Sequence, residues 1–187
     1  MRNRVDQKGA SAEGDIIGGS KTETHIHLSS GKAGKIEQLL KKLEAEVEQN
    51  AQVRHTLESL QRYYTRRSYD GVDGLEAKLK NAGRGHECMD AIEKKELFAK
   101  MLERWSLYAS AQSIFAHLLA HAEYEFTYFI HPQLPQLDEL HINELVHQRI
   151  VEPTIQECGS SVFALDHSVV MGMIYWLAEQ CYVRWHK

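Results

Sequence analysis

Glu144 and His147 stand three residues apart and His117 and His121 four apart, spacings that place side chains on one face of a helix. Facing helices carrying such ligands build zinc and di-iron centres inside bundles. A di-iron bundle requires a second Glu-x-x-His motif on another helix, yet the nearest match, Asp138-x-x-His141, falls in the same segment as the first. Eleven histidines in 187 residues produce one such spacing by chance. The set His117, His121, Glu144 and His147 is therefore an alternative, against histidines that serve as hydrogen-bonded core or interface groups. His25 and His27 share one face of an extended segment and would bind a metal only in an assembly.

Gly14-Asp-Ile-Ile-Gly-Gly-Ser-Lys21 invites comparison with a phosphate loop, because Gly14 and Gly19 have the correct separation. Ser20 then intervenes before Lys21, and no buried strand precedes and no helix directly follows, so nucleotide binding is not expected. Ser29-Ser-Gly-Lys32 fails as well, with Ile26 at the first glycine position and Ala33 where a magnesium-binding hydroxyl belongs. Arg62-Tyr-Tyr-Thr-Arg-Arg67 mixes cations with rings, as single-stranded nucleic-acid sites do. Asp70, Asp73 and Glu76 follow at once, and a helix C-terminus favours cations through its dipole. Arg62, Arg66 and Arg67 thus define a second alternative, a small nucleic-acid-binding module. No nucleophile elbow marks Ser110 or Ser113, and no cysteine has an activating neighbourhood, so no catalytic residue and no cofactor is expected.

Composition bounds the rest. A net charge of −4 gives no general attraction to nucleic acid or acidic lipid. Three widely spaced cysteines, Cys88, Cys158 and Cys181, fit a reducing cytoplasm, and the polar start at Met1 lacks the apolar core of a signal peptide. The uncharged run from Trp105 to Ala122 contains Ser106, Ser110, Gln112, Ser113, His117 and His121, which argues for a buried bundle helix and against a membrane span.

The expected fold is mainly α, a helical bundle preceded by a Gly-rich turn and one short N-terminal β-strand. Residues 1–13 form a polar tail, 14–30 the turn and strand, and 35–187 the helical domain. In the strand, Thr22, Thr24, Ile26 and Leu28 alternate with Glu23, His25 and His27. A lone strand has unpaired edges, so its partner is expected to be another chain. Helical spacing starts at Lys35 with Ile36, Leu39, Leu40, Leu43 and Val47, slips near Asn50 at a bend or restart, and resumes as Val53, Leu57, Leu60 and Tyr64. A short helix covers residues 75–82. One long helix is expected from about Met89 to about Phe129, stopped by His131-Pro132 and Leu134-Pro135. Asp138 caps the next, which bends or ends near Glu152-Pro153, and Asp166 caps the last. Gly172 inside that last helix implies close approach of another helix.

The glycine stretch, the short strand, and a helical domain with Trp105-Ser-Leu-Tyr-Ala-Ser-Ala-Gln112 and Met171-Gly-Met-Ile-Tyr-Trp-Leu-Ala-Glu-Gln-Cys181 together resemble the C-terminal-domain component of bacterial ABC three-component conflict systems, Lamassu-like antiphage systems among them. The resemblance implies an ATPase of the chromosome-maintenance type and a small middle component as partners. Such domains are usually fused to an effector, and about thirteen residues before Gly14 would not hold one. A non-catalytic adaptor serving a separate effector is therefore expected. Homo-oligomerisation is expected through Gly14, Asp15, Gly18, Gly19, Lys21, Thr22, Thr24, Ile26 and Leu28.

Overall fold

The computed structural model describes residues 34–68, 71–158 and 161–186. The tail, the Gly-rich turn and the strand expected over 1–30 lie outside the described residues. Among those described, the chain is mainly helical and contains no strand.

Helix α1 (Lys35–Glu48) buries Ile36 and Leu43. It ends where the hydrophobic stripe slips, because Asn50 takes a left-handed φ of 51° and the Ala51 amide returns to the Glu46 carbonyl. Of the two expected outcomes, bend or restart, the chain restarts as α2 (Glu58–Tyr64). There the stripe runs from Leu60 to Tyr63, not to Tyr64, which is 41% exposed and meets Trp176 edge-on. After α3 (Leu75–Asn81), a single 3-10 turn leads into α4 (Cys88–Trp105).

The long helix expected over 89–129 is in fact two helices, α4 and α5 (Ala109–Glu125). The break at 106–108 is stabilised from a distance. Gln112 donates to the Ser106 and His55 carbonyls and accepts from the Leu57 amide, while the Val53 amide reaches the Leu107 carbonyl. Those partners repay the backbone groups that an unbroken helix would have paired internally. The uncharged half is central as expected: Ala111, Ile114, Phe115, Leu118, Leu119 and Ala122 are buried. Helix α5 then widens into a π turn, Phe126–Ile130, before Pro132 and Pro135 end it.

Helix α6 (Glu139–Val146) passes through a second π turn, His147–Val151, into α7 (Glu152–Cys158). Of the expected bend or end near Glu152-Pro153, the end does not occur, since α7 runs on through Pro153. The register shift of the π turn falls just where its missing N–H would have broken an α-helical ladder. Asp138 accepts from the His141 amide at 3.0 Å and Asp166 from the Val169 amide at 2.8 Å, so both expected caps are present.

The last helix, α8 (His167–Glu179), is buried on almost every side. Its main partner is α4. A methyl group built on Gly172 would lie 2.0 Å from the Lys94 carbonyl oxygen and 2.7 Å from its carbon. Helix α3 sits at the other end of α8 in a reciprocal arrangement. Glu179 Oε2 accepts from the Leu75 amide at 2.8 Å, capping α3, while buried Lys78 donates to the Ala178 carbonyl, capping α8. Glu46 of α1 likewise accepts from the Ser110 amide and hydroxyl at the start of α5, at 3.1 and 2.8 Å.

Gly172→Ala should destabilise the domain despite alanine's better helix propensity, worth about 1 kcal/mol. The clash is with backbone, which side-chain rotation cannot relieve, and overpacking of this kind costs about 1–3 kcal/mol or more. Urea unfolding checks this, with a lower midpoint expected. At α6, the His141 amide and imidazole hold the Asp138 carboxyl below its usual range, and Asp138 raises His141. The depressed carboxylate stabilises the fold above an unfolded pKa of about 4 and loses that contribution as pH falls through its folded value. The raised histidine stabilises below about 6.5 and loses its contribution as pH rises through its folded value. Both contributions coexist between those limits. NMR should show His141 titrating above free histidine, and Asp138→Asn should return it toward the free value.

Candidate functional site

Glu123 near the end of α5 gathers the cationic segment that ends and follows α2. It accepts from Arg62 Nη2 at 2.5 Å, from the Tyr63 hydroxyl at 2.9 Å and from Arg67 Nη1 at 3.3 Å. Tyr182 completes the clamp, its hydroxyl donating to the Arg62 and Thr65 carbonyls while the Arg67 guanidinium lies 4.0 Å over its ring. Burial, with the Glu123 charge beside it, pushes the Tyr63 phenol well above its ordinary pKa, so it remains a donor. Arg66 pairs with Glu179 at 3.6 Å. All three arginines that the sequence offers for nucleic acid are thus engaged with carboxylates of α5 or α8.

The four candidate metal ligands are not brought together. His117 pairs with Glu157 at 3.5 Å. His147 instead faces Glu152 and His167. Among the described residues, no group of three ligands within reach of one ion includes His117, His121 or Glu144. The residues assigned to oligomerisation, Gly14 to Leu28, lie outside the described residues.

Above the Glu123 clamp, the π turn sets an aromatic patch on the surface. Phe126 and Ile130 point into the core, and Tyr128 is left 65% exposed, with Tyr124 at 52%. The Tyr124 ring contacts Tyr128 at 5.0 Å and Phe129 at 5.7 Å between centroids. Arg149, paired with Glu125 at 3.1 Å, lies 4.6 Å over Phe129. Clefts of about 250 and 240 Å³ adjoin the patch and share Glu123, Thr127 and Tyr128. Exposed tyrosines framed by arginines are the composition of protein-binding hot spots.

A different cavity of about 440 Å³ lies between the turn at 81–84, α6 and the C-terminal segment. In its wall, Arg84 is 4% exposed and bonded to Glu87 and Asn143, and its cation lies 4.5 Å over the Trp185 ring. Arg84 Nη1 and Trp185 Nε1 are buried without an acceptor.

Sequence reasoning missed Glu123, Tyr182, Lys78 and Arg84, each of which has a partner distant in the chain. The patch was accessible to it, because Tyr124 and Tyr128 stand four apart on a helix just beyond the uncharged run.

Residues 74–185, from the start of α3 through the C-terminal segment, match the family model for C-terminal domain 9 (CTD9) of the ABC-three component (ABC-3C) systems. The chain belongs to this family. The match spans more than half of the 187 residues and takes in both helical stretches that carried the resemblance, while the glycine stretch falls outside it. No curated protein and no solved structure matches the chain. The CTD9 match contains the aromatic patch and Glu123, whereas α1 and α2, with Arg62 and Arg67, precede it. Among the described residues, no helix is long and apolar enough to cross a membrane.

Glu123→Ala should strip the clamp of its shared acceptor. Two cations and the buried Tyr63 hydroxyl lose their partner, at a cost of about 1–3 kcal/mol. Chemical denaturation should show that loss, and a spectrophotometric titration should show a lower Tyr63 pKa.

Proposed function

We propose that this protein is a non-catalytic assembly or adaptor component of a cytoplasmic ABC-3C antiphage defence complex of Lamassu-like type. The observation that carries the reading is the patch of exposed Tyr124 and Tyr128 beside half-buried Phe129, inside the segment that matches the family. In this reading the patch docks the system's ATPase or middle component, residues 14–28 join copies of the chain, and a separate effector supplies any toxic activity. Rings fixed by mutual contact lose little freedom on binding, and their arginine neighbours can pair with acidic groups at the rim.

Co-purification of the chain with the ATPase and middle component of its own system tests docking. Tyr124→Ala with Tyr128→Ala should weaken the complex by about 2 kcal/mol or more, roughly 30-fold, as for hot-spot residues. Its unfolding midpoint should stay close to wild type, since both side chains are exposed. Undiminished affinity would remove the patch from the proposal. Light scattering of a chain lacking residues 1–30 tests assembly separately, with a smaller oligomer expected and an unchanged one excluding the N-terminal element.

A further inference from the structure

We propose that His147, Glu152 and His167 form a binding site for a divalent transition-metal ion, with zinc the fitting member of the class. Two imidazoles and one carboxylate, all with ligand atoms within 4.8 Å of one another, converge from two elements. Zinc takes such nitrogen and oxygen donors at about 2.0–2.2 Å in a tetrahedral shell.

The π turn makes the first half of the site. In an α-helix, residues five apart are rotated by about 140° from each other and do not share a face. Here the Glu152 amide bonds back to the His147 carbonyl, the five-residue spacing of a π turn, and the two side chains meet with His147 Nε2 3.9 Å from Glu152 Oε2. The second half comes from the first residue of α8, where the His167 ring stacks on His147 at 5.7 Å between centroids and 15° between planes. Both histidines are exposed, so their rings can turn by the small amount that a common ion requires. They also line a cavity of about 310 Å³ with Asp90, Lys94, Met171 and Tyr175, which leaves room for a fourth ligand.

The other trio of ligand type, His86, Glu87 and Glu139, is not equivalent. Both oxygens of Glu87 already accept from Arg84. At His147, Glu152 and His167 no arginine or lysine competes for the carboxylate among the ion pairs of the described residues. A bound ion would tie the α6–α7 rod to the start of α8.

Calorimetric titration of the full chain, stripped with a chelator and desalted, with zinc chloride provides the test. One zinc per chain is expected, together with a raised thermal midpoint. His147→Ala with His167→Ala should weaken binding at least tenfold and abolish the thermal shift. His117→Ala with His121→Ala, and His25→Ala with His27→Ala, should leave both unchanged. If the first double variant does not fold by circular dichroism, Glu152→Gln replaces it and should weaken binding severalfold. Zinc binding that survives these changes, that is lost equally in the control pairs, or that is absent from the wild-type chain overturns the site.

Discussion

The contact between Gly172 and the Lys94 carbonyl sets the terms for the rest of the domain. It allows α8 to lie with its backbone against α4, which no larger residue at that position would permit. The end of α8 that meets α3 is enclosed and cannot rely on water, whereas its start at Asp166 and His167 is exposed. Asp166 satisfies one end and Lys78 the other, and Glu179 returns the service to α3. Lysine is seldom buried without a partner, and here the carbonyl at the helix C-terminus and the local dipole supply one.

The two π turns extend this logic to the surface. Each adds a residue to a turn and so changes which side chains face out beyond it. The first buries Phe126 and Ile130 while lifting Tyr128 outward; the second aligns His147 with Glu152. Both features depend on helix geometry that departs from 3.6 residues per turn, and both lie within the segment that defines the CTD9 family.

Much of this was legible in the chain itself. The caps at Asp138 and Asp166 and the close approach at Gly172 are local or periodic, and the structure bears them out; the first helical stripe holds from Ile36 to Leu43 but not at exposed Val47, and Val53 and Leu57 precede α2 instead of lying on it. The division between α4 and α5 was not, because Gln112 and Val53 stabilise it across more than fifty residues and the break itself, Ser106-Leu-Tyr108, carries no proline or glycine. Tyr64 was read as core because strict α spacing from Leu60 points to it, yet α2 is too short for its register to be set by more than one buried turn, and Tyr63 took that place. Arg62 and Arg67 looked like a nucleic-acid motif because Glu123, their counter-charge, lies on another helix. The pairing of His147 with Glu152 was hidden for a different reason, since an α-helical template separates residues five apart.

The exchange of caps between helices bears on how the domain would come apart. Pulling α3 away would break the Leu75–Glu179 and Lys78–Ala178 bonds together, and removing α1 would take Glu46 from the Ser110 amide at the start of α5. Partial opening therefore carries a penalty in more than one place at once, which favours a single cooperative unit over separable foldons. A domain built in this way is displaced whole or not at all.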